Sequence, residues 1–391
     1  MSMPRDTTVT IYYGPLSWFE DQLGKKKRTG LLDIVYERDE ANRRHTHVVE
    51  GQEAPSEEPA PRPKRVAAES SDYASLNEHV ITNFAGLVRS INPEHLHLHN
   101  PPALVHSQLE RAFTTEVKRY EYPAVTRDTL VRFRDGFAGH LVGQAAVKEA
   151  LLAALYPLTT ARLTKPVVLM FYGPSGVGKT ETAQFVNGLL GGTLLRKQFS
   201  MFHNEKFASY LFGGTHSEAS FARDLLDRES GVILIDEFDK ANSVFHSAFY
   251  QLFDGGAFED KNYSIELGPS LIICTSNYGT EDEIRKALGD ALYSRFDSLV
   301  HFKPLSKKEI RQVIDRLVDD RVSKLAPDER ARLEPETIKG TLYPLADKGG
   351  NVRKLGKLAD EVISLVLVRA VLNEAANPSG AAVSGDEETA A

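Results

Sequence analysis

The sequence places an apolar strand directly before a glycine-rich loop at residues 166–180, PVVLMFYGPSGVGKT. Gly173, Gly178, Lys179 and Thr180 have the spacing of a phosphate-binding P-loop, and a helical pattern follows them. In such a loop, backbone amides surround the β-phosphate, the lysine reaches the β- and γ-phosphates, and the hydroxyl is a magnesium ligand. We therefore predict a site for ATP and Mg²⁺. Its predicted contacts are Gly173, Pro174, Ser175, Gly176, Val177, Gly178, Lys179, Thr180 and Glu181.

Two further apolar strands end in polar residues. The first, within GVILIDEFDK, is followed at its carboxyl end by Asp236 and Glu237. Buried parallel strands deliver such side chains to the edge of the sheet where ligands bind. Asp236 is predicted to hold magnesium through water, and Glu237 to polarise the attacking water. SLIICTSN ends in Asn277, whose amide either orients the same water or caps a helix.

Before residue 126 the pattern indicates a small α/β accessory domain. The first part is predicted to contain a strand at 9–14, a helix at 15–23 and a strand at 31–38. After a linker, we predict a helix over 76–91, then the segment HLHLHN, a second helix and the strand EVKRYEY. Residues 51–72 are rich in Pro, Glu and Ala, which predicts a flexible linker or disordered insertion. Residues 1–126 are thus one accessory domain with an insertion, or two fragments.

Composition narrows the class of protein. A net charge of -7 provides no general attraction to nucleic acid or to an anionic membrane, although a local basic patch is compatible with it. The single Cys274 rules out an intramolecular disulfide framework. No apolar run is long enough to span a bilayer, and residues 1–8 lack the apolar core of a secretion signal. We expect a cytoplasmic protein without membrane spans.

The motifs, in their order, resemble one family. GPSGVGKT, VILIDEFDK, TSN and SRFDSLVHFKPL, with HLVGQAAVKEAL upstream, are similar to an AAA+ ATPase of the Clp and heat-shock disaggregase type, in particular to its second ATPase module. The resemblance implies an α/β fold, with a five-stranded parallel sheet sandwiched by helices at 127–303 and a helical lid at 304–375. It leaves 1–126 unrecognised, and 376–391 is predicted to be a disordered tail. It also implies a ring of identical subunits, commonly a hexamer.

Further site residues follow from the resemblance. Val142 and Gln144 of HLVGQ would contact the adenine. Arg295 would reach into the neighbouring subunit's site and stabilise charge on the transferring phosphoryl group, the alternative being an exposed or ion-paired arginine. Arg353, in the first turn of a helix that Asn351 caps, would supply a second cation or simply lie on the helix surface.

One region departs from the family pattern. Threading Clp machines grip substrate with an aromatic pore loop. In the corresponding region, SYLFGGTHSEASFARDLLDRESG, the stretch SYLFGG resembles the residues before that loop, and the tyrosine of the loop itself is missing. Phe212 or His216 could substitute, although Phe212 is expected in the core. Phe245, Phe249 and Leu252 are predicted core residues because they recur at helical spacing. GGAFEDKNYSIELG is predicted to form a hairpin that faces the pore.

Two runs in the accessory domain allow two interpretations each. His95, His97 and His99 would share one face of a strand, where they either ligate a metal or form the polar face of a half-buried strand. The basic residues 25–28 either contact phosphates or form a solvent-exposed turn.

The main hypothesis is a magnesium-dependent ATPase ring that remodels a protein partner selected by the N-terminal domain. The alternatives are an ATP-gated switch or scaffold, which the missing grip residue favours, and a nucleic-acid-remodelling ATPase, which only the local basic runs favour.

Overall fold

The computed structural model describes residues 7–45, 62–160, 163–201, 204–346 and 351–376. These residues form an N-terminal sheet, a second sheet that carries the P-loop, and a C-terminal group of helices. Within the described ranges, no helix combines the length and apolar character needed to cross a membrane.

The N-terminal module is a five-stranded sheet in which all neighbouring strands are parallel, in the order β2-β3-β4-β1-β5. Alternating residues of the inner strands, such as Ile11 and Leu98, are fully buried under helices on one face. The strands are β1 (Thr8–Tyr13), β2 (Thr29–Gly30), β3 (Arg65–Ala68), β4 (His95–His99) and β5 (Thr114–Arg119). The helices are α1 (Leu16–Leu23), α2 (Leu31–His45), α3 (Glu78–Thr82), α4 (Phe84–Ile91) and α5 (Ala103–Ala112).

Three predictions for this module need correction. Residues 31–38 belong to helix α2 rather than to a strand, because Leu31 and Ile34, one helical turn apart, both face the core. The single helix predicted over 76–91 is divided at Asn83, whose backbone leaves the helical region. The predicted linker contains β3, a four-residue strand that begins two residues after Pro63 and is too short to show periodicity. Residues 51–61 of that segment lie outside the described residues.

The P-loop unit contains the predicted five-stranded parallel sheet, in the order β12-β6-β11-β8-β7. Every residue of β6, β8 and β11 is buried, and one apolar cluster covers each face, as expected for parallel strands between helices. The strands are β6 (Val167–Tyr172), β7 (Leu195–Gln198), β8 (Val232–Asp236), β11 (Leu271–Thr275) and β12 (Ser298–His301). The predicted hairpin is also present, as β9 (Ala257–Glu259) and β10 (Ser264–Glu266).

Helices cover both faces of this sheet and continue into the C-terminal group. Around the sheet they are α6 (Arg127–His140), α7 (Ala145–Leu155), α8 (Lys179–Leu190), α9 (Asn204–Phe212), α10 (Phe221–Leu226), α11 (Tyr250–Gly255) and α12 (Glu281–Tyr293). The C-terminal group is α13 (Lys307–Ser323), α14 (Pro327–Arg330), α15 (Pro335–Ala346) and α16 (Val352–Ala376). Its long helices α13, α15 and α16 share a separate apolar core. Residues 377–391, the predicted tail, lie outside the described residues.

The N-terminal module contacts the P-loop unit through polar groups at the end of α10. The backbone N–H of Leu16 donates to Oδ1 of Asp227 at 3.1 Å, and Nε2 of His99 lies 3.6 Å from the same oxygen. The backbone N–H of Ala103 donates to the carbonyl of Asn262 at 2.9 Å. Burial raises the pKa of Asp227 to about 6, so the carboxylate loses hydration at this contact.

Candidate functional site

A cavity of about 480 Å³ lies at the carboxyl end of the parallel strands, between the sheet and the C-terminal helices. Most of the predicted site residues line it: Val142, Ser175, Gly176, Val177, Gly178, Lys179, Thr180, Glu181, Asp236, Glu237, Asn277 and Arg353. Gly173, Pro174, Gln144 and Arg295 are not among its lining residues.

The P-loop backbone requires glycine at its two ends. Gly173 has φ of 132°, and a Cβ atom there would lie 2.1 Å from the carbonyl oxygen of Phe302. Gly178 has φ of 102° and immediately precedes α8, so the loop enters the helix with its free amides directed at the cavity. The loop is therefore shaped for phosphate by its own backbone.

Lys179 lies at the start of α8 and is almost fully buried. Its Nζ donates to the carbonyls of Gly173 and Pro174 at 2.7 and 2.8 Å, and to Oδ1 of Asn277 at 3.3 Å. Burial lowers the pKa of Lys179 to about 8, because an ammonium group loses hydration inside the site. An incoming phosphate would offset this cost and replace the neutral oxygens.

The oxygens at the end of β8 fit a magnesium ion. Oγ1 of Thr180 is 3.4 Å from Oδ2 of Asp236, and Oδ1 of Asp236 accepts a hydrogen bond from Thr275. A hydroxyl and a carboxylate facing a water-accessible cavity are hard oxygen ligands of the kind that Mg²⁺ prefers. Thr180 and Asp236 are thus the residues that would hold it.

Arg196 was not predicted, yet it is the main partner of Asp236. Its Nη2 and Nε lie 2.5 and 3.1 Å from Oδ2 of Asp236, the oxygen that also faces Thr180. Arg196 belongs to β7, which pairs with β8 so that Gln198 stands opposite Asp236. No motif marks this arginine; only the pairing of the edge strand β7 with β8 brings it here.

Glu237 adopts a left-handed backbone conformation, with φ of 57°, directly after β8. Its carboxylate accepts hydrogen bonds from Nε2 of Gln198 at 3.0 Å and from the hydroxyl of Ser200. These bonds lower the pKa of Glu237, so it is ionised at neutral pH. Sequence reasoning missed Gln198 and Ser200 because their contact depends on the pairing of β7 with β8.

The C-terminal helices close the other side of the cavity. Asn351 caps α16 as predicted, with its Oδ1 accepting from the backbone N–H of Arg353 at 2.9 Å. Nδ2 of Asn351 also donates to Oγ of Ser175 in the P-loop at 3.0 Å, a contact that the sequence did not indicate. The start of α16 therefore connects the helical group to the phosphate loop and brings Arg353 to the cavity wall.

The two predicted adenine contacts differ in position. Val142 lines the cavity. Gln144 has φ of 58°, and its amide accepts from the backbone N–H of Lys303 at 3.2 Å and donates to the carbonyl of the same residue at 2.8 Å. Its side chain thus joins the start of α7 to the end of β12.

Arg295 lies away from the cavity of its own chain. Its Nε donates to Oδ2 of Asp254 at 2.8 Å, and its guanidinium carbon is 4.5 Å from the centroid of the Tyr250 ring. The ion-paired arrangement is therefore present within one chain. Action in a neighbouring subunit would require Arg295 to leave Asp254.

The aromatic residues near the missing pore loop divide into core and surface. Phe245, Phe249 and Leu252 are buried, which confirms that prediction. Phe212, expected in the core, is 46% exposed, because it is the last residue of α9 and projects beyond the packed cluster. The His216 side chain is largely buried, 3.8 Å from Glu78 of the N-terminal module.

The histidines of β4 do not form a metal centre. Across the described ranges there is no group of three His, Cys, Asp or Glu residues that could hold a metal ion. His99 is buried with Nε2 2.7 Å from the carbonyl of Gly14, and Nδ1 of His97 is 3.3 Å from the Tyr12 hydroxyl. The alternative of an exposed polar face holds only for His95, since His97 is half-buried and His99 is fully buried.

Comparison with known proteins agrees with this geometry. The AAA domain family (Cdc48 subfamily) matches residues 164–333. This part of the chain is an AAA+ ATPase domain of the Clp type. Similar curated proteins are a ClpA homolog protein of Fuscovulum blasticum, 28% identical over 59% of this chain and 33% of its own, and the chaperone protein ClpB of Clostridium tetani, 28% identical over 50% and 26%. The chain thus matches a third or less of the length of these relatives.

A solved structure shows the same fold. The Saccharomyces cerevisiae Hsp104–ADP complex superposes with a TM-score of 0.53 at 22% identity, over 63% of this chain and 49% of that one. The parallel sheet with flanking helices and the helical C-terminal region therefore share the fold of that structure.

The contact between Arg196 and Asp236 leads to a testable expectation for this AAA+ site. Arg196 would compete with Mg²⁺ for Oδ2 of Asp236. In Arg196→Met, the Mg²⁺ concentration needed for half-maximal binding of a fluorescent non-hydrolysable ATP analogue should fall about threefold, the value of a partly exposed ion pair. Lys197→Met is the matched control, since Lys197 pairs with Asp224 instead. An unchanged magnesium requirement in Arg196→Met would show that the arginine does not compete with the metal.

Proposed function

We propose that this protein is a magnesium-dependent ATPase that assembles into a ring and uses hydrolysis to remodel a protein partner selected by the N-terminal module. The observation that carries the proposal is the convergence of Lys179, Thr180, Asp236, Glu237 and Asn277 on one cavity between sheet and lid. These residues come from the ends of two adjacent strands, β8 and β11, and from the P-loop helix α8. They supply the charges and hydrogen bonds that phosphoryl transfer to water needs.

The binding step depends on the P-loop. The amides at the start of α8 surround the β-phosphate, and Lys179 exchanges the carbonyls of Gly173 and Pro174 for phosphate oxygens. Thr180 and Asp236 would hold Mg²⁺, which would supply positive charge for the transferring phosphoryl group. Arg353 adds positive charge from the lid side.

The hydrolytic step depends on Glu237 and Asn277. The ionised carboxylate of Glu237 accepts a proton from the attacking water once it exchanges its hydrogen bonds to Gln198 and Ser200. Asn277, already within hydrogen-bond distance of Lys179, lies beside the position of the γ-phosphate and orients that water. Binding and hydrolysis therefore use different residues.

This separation of steps can be measured. Lys179→Ala should lose nucleotide binding, because the loop loses its buried cation. Glu237→Gln should bind ATP with nearly unchanged affinity and lose turnover by about a hundredfold or more, as expected for a general base. Equilibrium binding of a fluorescent ATP analogue and phosphate release measure the two effects. Near-normal phosphate release by Glu237→Gln would remove this residue from the water-polarising role.

The position of Arg295 supports action between subunits. It does not line the cavity of its own chain, and there it pairs with Asp254. If it contacts the γ-phosphate of a neighbour in the ring, it acts on the transition state rather than on binding. Arg295→Ala should then keep its affinity for ATP and lose about a thousandfold in turnover.

Mixing two inactive variants tests the ring directly. A Lys179→Ala subunit keeps Arg295, and an Arg295→Ala subunit keeps its P-loop, so a mixed ring contains some complete sites. Mixed in equal amounts, the two variants should recover measurable phosphate release. Silence in a mixture whose subunits are shown to exchange would contradict catalysis in trans.

The nature of the substrate is tested by stimulation of turnover. The Clp-type ATPase domain and the separate N-terminal module support a protein substrate, and the exposed Phe212 offers an aromatic grip next to the altered pore segment. An unfolded protein such as reduced casein should raise the ATPase rate, whereas single-stranded DNA, duplex DNA and RNA should not. Phe212→Ala should reduce the stimulation. Stimulation by nucleic acid alone would contradict protein remodelling, and no stimulation by either class would favour an ATP-gated switch.

A further inference from the structure

A second cavity, of about 330 Å³, lies between the N-terminal module and the amino-terminal edge of the AAA+ sheet. Tyr13 and Tyr120 line it from the N-terminal module, and Gly231 and Leu271, at the starts of β8 and β11, line it from the AAA+ unit. It therefore lies at the opposite edge of the sheet from the nucleotide site. Most of its wall is aromatic or aliphatic, which makes it suited to the apolar body of a small ligand.

One charged residue in this apolar wall is almost completely buried. Arg228 is 6% exposed, and its guanidinium carbon stacks 3.9 Å from the centroid of the Tyr122 ring. Its Nη1 donates to the carbonyl of Leu225, but its buried Nε has no hydrogen-bond partner. No carboxylate in the described part of the chain forms an ion pair with it. Burial accordingly lowers the pKa of Arg228 from its ordinary value.

Neighbouring charges do not neutralise Arg228. The adjacent Asp227 is engaged with the backbone N–H of Leu16 and lies close to His99. Arg119 and Glu266 also line the cavity, but both are exposed and carry opposite charges. The buried wall thus has one uncompensated positive charge, whose desolvation is costly unless an anion offsets it.

The chemistry of guanidinium identifies the anion. Arginine presents paired N–H donors that match the two oxygens of a carboxylate, and the pairing strengthens where water is excluded. A single buried cation suits a monoanion better than a phosphate with two charges, and the aromatic wall suits an apolar group attached to it. We propose that this cavity binds a monocarboxylate with an aromatic or aliphatic body, whose carboxylate pairs with Arg228. Such a ligand would contact both modules and stabilise their docking.

Binding can be measured on the full chain by isothermal titration calorimetry. The probe 3-phenylpropionate represents a free organic acid, and the tripeptide Ala-Ala-Phe represents the terminal carboxylate of a peptide. At least one should bind, and the tighter of the two identifies the source. The neutral 3-phenylpropionamide should bind about tenfold or more weakly than 3-phenylpropionate, because it lacks the charge that Arg228 requires. Binding of neither acid, or equal binding of acid and amide, would overturn the proposal.

Substitutions locate the site. Arg228→Met should weaken binding of the acid about tenfold or more, whereas Arg134→Met, at an exposed arginine paired with Asp135 on α6, should leave it unchanged. Without ligand, Arg228→Met should unfold at the same temperature as the wild type or higher, since a buried unpaired charge has been removed. Arg228→Lys keeps the charge but loses the paired donors, so it should bind the acid with intermediate affinity. This second variant tests the site if Arg228→Met does not fold. Undiminished binding in both Arg228 variants would contradict the site.

Discussion

The ATPase site is organised around the carboxylate of Asp236. This side chain ends a fully buried strand and is itself 5% exposed, yet it meets hydroxyl groups of Thr180 and Thr275 and the guanidinium of Arg196. A buried carboxylate is stable only when such partners satisfy it. The hydroxyl of Thr275 also accepts a hydrogen bond from the backbone N–H of Glu237 at 2.9 Å. The residue that would hold magnesium and the residue that would activate water are therefore joined through one threonine.

The same sheet also supports the second module. The nucleotide cavity lies at the carboxyl ends of β8 and β11, and the contact with the N-terminal module lies at their amino ends. These strands are short, parallel and buried along their whole length, so they hold the two edges in a fixed relation. The adjacent residues Asp227 and Arg228 both lose hydration at this contact. Stacking on Tyr122 and the bond to Leu225 offset part of the cost for Arg228, and an anion paired with it would offset the rest. The interface between modules thus has its own unmet electrostatic requirement, separate from that of the nucleotide site.

Sequence reasoning succeeded where a local pattern and a chemical requirement coincide. The strands β6, β8 and β11 are continuous apolar runs, and parallel strands buried on both faces have this composition. The glycines of the P-loop and the polar residues after β8 and β11 are the residue types that phosphate binding, magnesium binding and activation of water require at those positions. Sequence reasoning failed for residues 31–38 because the apolar residues of LLDIVYER suit a strand as well as the first turns of helix α2. It failed for β3 because four residues are too few to show a period. It also failed for Phe212, since hydrophobic character alone does not say whether a residue at a helix end meets the core.

The sequence by itself determined the AAA+ sheet, the phosphate loop and the principal residues of its cavity, because these depend on motifs whose members are close in the chain or follow one another at strand ends. Only the tertiary structure decided which other side chains form hydrogen bonds with those residues. Arg196, Gln198 and Ser200 reach Asp236 and Glu237 through strand pairing across about forty residues of sequence. Only the packing of two modules could show that Arg228 is buried without a carboxylate partner. Hydrogen bonds and desolvation depend on distance in space, and a single sequence specifies such distances only through the complete fold.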